Sequence, residues 1–360
     1  YTPTPLHPYT PTPLHPYTLH ERTPLRVRPL MLVALALVSL TTTACQPLQF
    51  VVTIGSAERE LDRTVVMEEE RAVRDVAIVD VSGLIVNEDR GGMLSRGANP
   101  VSLLHQQLKR AEGDDEVAAV LLRINSPGGG VTASEAMYRE VMRFKARSGK
   151  PVIAMLMDVA ASGGYYVACS ADAIVAYPTT VTGSVGVILQ TLGVGPALAR
   201  IGVQSEALTS GPNKDAGNPL GSLDEEERRV LQTMVDDFYL RFADVVRARR
   251  TGISPADFET VTDGRVVSGA RARELGLVDA TGDVYDAFAV AKTAAGLERA
   301  RLIRYHRPLE SVRSPYANPP ARGGEAERRG GEPREIRVDL TPAFADLPAG
   351  FYYLWRPGVR

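Results

Sequence analysis

Between Val76 and Gly296, short apolar runs alternate with segments of helical periodicity, and this alternation limits the possible folds more than any other feature of the chain. The runs "VAIVDVSG", "VAAVLLRIN", "PVIAMLMDV", "AIVAYP" and "GSVGVIL" are too short for ordinary helices and apolar without a period, the pattern of strands covered on both faces. Between them stand "VSLLHQQLKRAEGD" and "TASEAMYREVMRFKARSG", the second with Thr132 and Glu135 spaced for a capping box and Gly149 at its end. "LDEEERRVLQTMVDDFYLRFADVVRARR" is the longest helical segment, opened by acidic residues and closed by arginines as the macrodipole favours. "SPADFETV", "GARARELGLVD" and "VYDAFAVAKTAAG" complete the series. Strands alternating with helices predict one α/β domain over residues 76–296.

The flanks carry different signals. Residues 1–25 begin with an eight-residue Pro/Thr repeat that cannot bury a core, so they read as disorder or a start-site artefact. In residues 26–45, Arg26 and Arg28 precede an eleven-residue apolar run, Leu30 to Leu40. The run falls short of the roughly 20 residues a membrane span needs but suits the apolar region of a secretory signal. Cys45 follows Thr-Thr-Ala and resembles the lipidated cysteine of a bacterial lipoprotein signal, although Thr42 stands where leucine is usual. The expectation is an exported, membrane-anchored protein facing the periplasm or cell exterior, held by lipid on Cys45 or by an uncleaved N-terminal anchor. Residues 46–75 read as a polar spacer, and 297–360 as a Pro/Gly/Arg-rich extension whose aromatic end, "PAGFYYLWRP", is expected to dock.

Composition removes several function classes. A formal net charge of −2 gives no case for nucleic acid. Only two cysteines are present, Cys45 and Cys169, which excludes a disulfide framework in the processed chain. Cys169 lies in an apolar stretch and reads as a small buried hydrophobe. Of 41 basic residues only five are lysine, so each lysine is worth inspecting for chemistry that a guanidinium cannot do.

Three loops stand where strands end, the usual binding edge of an open α/β sheet. In "RINSPGGGV" the glycines Gly128, Gly129 and Gly130 let the backbone turn its N–H groups outward. The Gly-Lys-Ser/Thr ending of a phosphate loop is missing, whereas an oxyanion hole needs only backbone donors aimed at one oxygen. The second loop breaks "MDVAASGGYYVACSADAIV" at Ser162, a position that suits either a helix N-cap or a nucleophile. Histidine is a poor candidate for its base, since His105 lies within a helical segment and His306 opens the tail. The third loop, "LTSGPNKDAGNPLG", holds Lys214, the one lysine outside helices and their ends. A lysine acting as base must be neutral, which calls for a dry site beside neutral hydroxyls, with Asp215 turned elsewhere.

"NSPGGG", "AASGGYY", "TGSVGV" and "SGPNKD", in this order, resemble the signal peptide peptidase A (protease IV) family of bacterial membrane-associated serine peptidases. The resemblance covers roughly residues 76–296 and implies a ClpP/crotonase-like fold with a single catalytic domain. It implies Ser162 as nucleophile, Lys214 as general base, Ser184 as the hydroxyl that orients the amine, and Gly129 and Gly163 as oxyanion donors. It also implies remnant signal peptides as substrates, a ring-shaped homo-oligomer at the membrane, and no metal or cofactor. Two alternatives share the fold: a crotonase-type acyl-CoA enzyme, which needs no Ser/Lys pair, and a catalytically inactive membrane scaffold. If Cys45 carries the anchor, Cys45→Ser should move the protein from the membrane to the soluble fraction, measured by fractionation beside the parent; equal membrane retention of the two refutes the lipid anchor.

Overall fold

The computed structural model describes residues 61–88, 99–307, 310, 312–317 and 351–355. Along the chain come β1 (Asp62–Glu68), β2 (Asp75–Ser82), α1 (Pro100–Glu112), β3 (Val117–Ser126), β4 (Gly128–Gly130), α2 (Val131–Ser148) and β5 (Val152–Ala161). They are followed by α3 (Gly163–Ala168), β6 (Ala173–Ala176), β7 (Val181–Gly183), β8 (Ile188–Leu189), α4 (Gly195–Arg200), α5 (Glu225–Arg249) and α6 (Pro255–Val261). Then come β9 (Val266–Ser268), α7 (Gly269–Glu274), β10 (Ala280–Thr281), α8 (Val284–Ala294), β11 (Arg301–His306) and β12 (Phe351–Leu354).

Nine strands form the main sheet, in the order β1-β11-β2-β3-β5-β6-β10, with β7 branching from β5 and β9 pairing β7. From β11 to β10 the neighbours are parallel; only the edge pairs β1/β11 and β7/β9 are antiparallel. Burial on both faces explains the unbroken apolar runs. Ala77, Val79, Val120 and Leu122 pack with Leu104 and Leu108 of α1 and Met137 and Val141 of α2. Their sequence neighbours Val76, Ile78, Ala119 and Leu121 pack with Val284, Ala287 and Phe288 of α8 on the other face. Among the described residues no helix is long and apolar enough to cross a membrane.

Helix ends follow local chemistry. Asn99 caps α1 by accepting from the N–H groups of Val101 and Ser102, and Asp224 with Glu227 forms a capping box on α5. The expected Thr132–Glu135 box does not form: α2 starts from Gly130 without a side-chain cap, and Glu135 instead accepts from Arg139 and Arg241. Gly149 ends α2 in the left-handed conformation, at φ 67°.

The sheet is wider than the span 76–296. β1 lies within the expected spacer, where its polar outer residues suit an edge strand, and β11 lies within the expected tail. β1 is tied to β2 through Arg63 and the buried Asp75, and β11 is joined to the core by a buried charge cluster. Asp80 on β2 pairs with Arg123 on β3 at 2.7 Å and with Arg304 on β11 at 2.5 Å, and all three residues are buried. The two guanidinium groups also donate to the carbonyls of Pro315 and Ala317, fixing the start of the tail. Asp80→Ala leaves two buried cations without their carboxylate and should cost about 3–5 kcal/mol of stability. A urea midpoint equal to the parent's would show that this cluster does not tie the sheet together.

Candidate active site

The parallel registers bring three serines to one edge. Ser126 pairs across from Ala160, and Ala161 pairs across from Gly183, so Ser162 and Ser184 each follow the last paired residue of neighbouring strands. The Ser162 N–H donates to the Gly183 carbonyl at 2.8 Å, and its own carbonyl accepts the first helical bond from Tyr166 N–H at 2.8 Å. The backbone of Ser162 lies at φ 52°, ψ −116°, a conformation that costs an L-residue about 1–3 kcal/mol. Its Oγ is buried, does not cap α3, and has no hydrogen-bond partner among the described residues. The N-cap alternative is therefore not realised. Ser184 also has positive φ, at 54°, and its N–H donates to the Arg265 carbonyl at 2.7 Å.

The glycine loop is held edge-on to this serine. Ile85 N–H donates to the Gly128 carbonyl and Gly130 N–H donates to the Ile85 carbonyl, both at 2.8 Å. Strand alternation then turns the N–H and carbonyl of Gly129 to the opposite edge. A Cβ on Gly129 would stand 1.9 Å from the Ile85 carbonyl oxygen, and one on Gly163 would stand 2.4 Å from Ser134 Oγ and 3.2 Å from Gly128 Cα. Only backbone fits in these places. Ser126 Oγ donates to the Gly83 carbonyl at 2.6 Å and accepts from Gly128 N–H at 3.1 Å. Ser134 Oγ donates to the Gly130 carbonyl at 3.0 Å. These two hydroxyls and Ile85 are supports that sequence reading did not single out; Ser126 is signalled by its place before Pro127, while Ile85 carries no local mark.

The other expected residues are distributed as follows. His105 faces Glu140 at 2.9 Å, and His306 faces Thr64 Oγ1 at 2.9 Å, so neither serves Ser162. Burial pushes the Cys169 thiol up to about 12, which keeps it protonated and unreactive. Lys145, Lys150 and Lys292 are bound to Asp172, to the carbonyls ending α1, and to Glu69. Lys214 lies in a turn, its N–H donating to the Gly211 carbonyl at 3.2 Å, and its side chain is exposed. Among the described residues it makes no hydrogen bond to Ser162 or Ser184, so the dry site expected for it is not formed within the single chain. Cys45 lies outside the described residues.

A buried hydroxyl with no partner contributes nothing to the fold it occupies. Ser162→Ala should leave unfolding stability unchanged or raise it by up to about 1 kcal/mol. A loss larger than that in chemical denaturation would mark Ser162 as a structural residue.

Comparison with known proteins places this geometry. The model for Peptidase family S49 matches residues 145–298, and that for Clp protease matches residues 97–182, in keeping with a Clp protease-like α/β fold. The chain is 31% identical over 287 residues to a putative signal peptide peptidase SppA of Enterococcus faecium, covering 80% of this chain and 83% of that one. It is 37% identical over 199 residues to Protease 4 of Salmonella typhi, covering 55% of this chain but only 32% of that longer protein. The chloroplastic serine protease SPPA of Arabidopsis thaliana is 34% identical over 236 residues, covering 62% of this chain and 34% of that one. With its S49 match spanning both Ser162 and Lys214, and a relative matched over most of both chains, the chain belongs to the signal peptide peptidase A (protease IV) family and is a serine peptidase.

Proposed function

We propose that this serine peptidase cleaves apolar peptides, remnant signal peptides among them, through a Ser162/Lys214 dyad at a membrane surface. The observation that carries the reading is the strained, buried and unpartnered Ser162 hydroxyl beside a glycine loop in which a Cβ on Gly128 or Gly129 would collide with backbone. In the reaction, Ser162 Oγ attacks the substrate carbonyl as its proton passes to the neutral Lys214 amine. Gly129 and Gly163 N–H groups receive the oxyanion. The ammonium then gives its proton to the leaving amine, and water, deprotonated by the same lysine, hydrolyses the acyl-enzyme. Ser184, at the end of the neighbouring strand, orients the amine.

The exposure of Lys214 is reconciled by assembly. Of thirteen large apolar residues exposed among the described residues, nine lie between Ile188 and Leu240, the stretch that contains Lys214. A surface of this kind marks an interaction face. Further copies packed on it, closing as a ring, would dry the loop and bring the lysine toward Ser162. Anchorage through Cys45 outside the cytoplasm would concentrate the enzyme where apolar leftover peptides partition. Family membership favours this reading over the acyl-CoA and inactive-scaffold alternatives.

Ser162→Ala, Lys214→Ala and Lys214→Arg should each lower peptide hydrolysis by at least about a thousandfold, the arginine variant because guanidinium keeps its proton. Ser184→Ala should lose less. Hydrolysis assays with fluorophosphonate labelling check this, and full activity in Lys214→Arg refutes the dyad.

A further inference from the structure

The first turn of α2 stands between the glycine loop and the long helix α5. β4, which pairs with β12 in a second sheet of order β4-β12-β8, runs into α2 without a linking residue, so loop and helix start share one backbone. Ser134 is buried and faces inward. Its Oγ donates to the Gly130 carbonyl at 3.0 Å and lies against Gly163, where an added Cβ would stand 2.4 Å from it. Glu135, the next residue, faces outward and accepts from Arg241 Nη2 of α5 at 2.9 Å. These two neighbours thereby connect the glycine after the nucleophile to a helix that comes much later in the chain.

The surroundings of the pair make it a stiff joint. Tyr166 of α3 meets Tyr138 of α2 edge-on at 5.4 Å and Phe242 of α5 at 5.0 Å, so one ring touches all three helices. The Tyr353 ring of β12 stacks on Tyr166 at 5.3 Å and lies 4.8 Å from Phe242, and its hydroxyl donates to the Phe238 carbonyl at 2.8 Å. Tyr138 follows Glu135 by one helical turn and Phe242 follows Arg241 directly, which sets the ion pair on the rim of this cluster. Burial pushes the Tyr166 hydroxyl up to about 12, the Glu135 charge adding to the rise and the Arg241 charge opposing it. Arg139 also donates to Glu135, at 2.8 Å, but from within α2; among the described residues it is Arg241 that carries the link to α5.

We propose that Glu135 and Arg241 are a positioning pair: by tying α5 to the first turn of α2 they hold Ser134, and through it Gly130 and Gly163, at the spacing from which backbone N–H groups meet the oxyanion. A partly exposed ion pair contributes little to stability. A small displacement of preorganised donors, in contrast, lowers the rate of the chemical step while leaving ground-state binding nearly unchanged. The inference rests on the serine peptidase reading of Ser162, so its test separates the two.

The test uses the full chain and compares Glu135→Gln, Arg241→Gln and the double variant with the parent. It reads kcat and KM for an apolar peptide, the rate of fluorophosphonate labelling of Ser162, and the urea midpoint. Each single variant should lower kcat and the labelling rate about five- to twentyfold and leave KM within about twofold. The double variant should lose no more than either single one, as two halves of one contact do. Arg241→Lys keeps the charge and should recover part of the loss. Arg139→Gln, which removes the partner inside α2, should stay within about twofold of the parent. The midpoint should not move, because α5 remains held by buried Phe242 and Val246 and by Arg249 donating to the Cys169 and Ala171 carbonyls. Parent-like kcat in Arg241→Gln, equal losses in Arg139→Gln and Arg241→Gln, or additive losses in the double variant overturns the proposal. A rise in KM at constant kcat, or a loss of kcat accompanied by a lowered midpoint, overturns it as well. A parent that neither labels nor hydrolyses refutes the peptidase reading and the proposal with it; a parent that does both, matched by its variants, refutes the positioning pair alone.

Discussion

The site depends on backbone approaching backbone with no side chain between. Gly129 lies against Ile85, and Gly163 against Gly128, at separations where a single added methyl would collide. This contact lets the loop after β3 and the turn after β5 converge, turning the other edge of Gly129 toward β12. Ser126 and Ser134 then fix the loop by hydrogen bonds, and the strained turn at Ser162 is tolerated because the strands on either side over-determine it. The free energy needed to hold that turn comes from the two buried faces of the sheet, far larger than the local cost.

The fold was legible where pattern and burial coincide. β2, β3 and β5 read as continuous apolar runs because helices cover both faces, and α5 announces itself by acidic residues at its start and arginines at its end. β1 and β11 were not legible as parts of the sheet. β1 is an edge strand with charged outer residues, so its composition matches a spacer; β11 pairs with residues more than two hundred positions earlier, a relation local pattern does not carry. The capping box expected at Thr132 was displaced because Gly130 has to serve the glycine strand and the helix start at once.

The candidate site residues were legible through the loops that hold them. Ser162, Ser184, Gly129 and Gly163 are gathered by strand order, which the alternation of elements already implies. Lys214 is different in kind: its segment packs little against its own chain, and its neighbours Leu208 and Leu220 are exposed. A residue in a segment that packs so little on its own chain leaves no trace in local sequence beyond unexplained apolar side chains. The pocket around Tyr353 was equally hidden, since Tyr166, Phe238, Phe242 and Tyr353 come from three distant stretches and meet only in the folded chain.

β12 pairs between β4 and β8 and is joined to the rest of the protein by covalent bonds, which changes how that pairing responds to conditions. A separate peptide strand leaves as the solution is diluted, because its rebinding is second order in concentration. Return of a tethered strand is first order, set by the chain alone. Dilution therefore leaves the three-stranded sheet formed to the same extent. What parts it must act on the strand itself, by a pull on the chain that leads to Phe351.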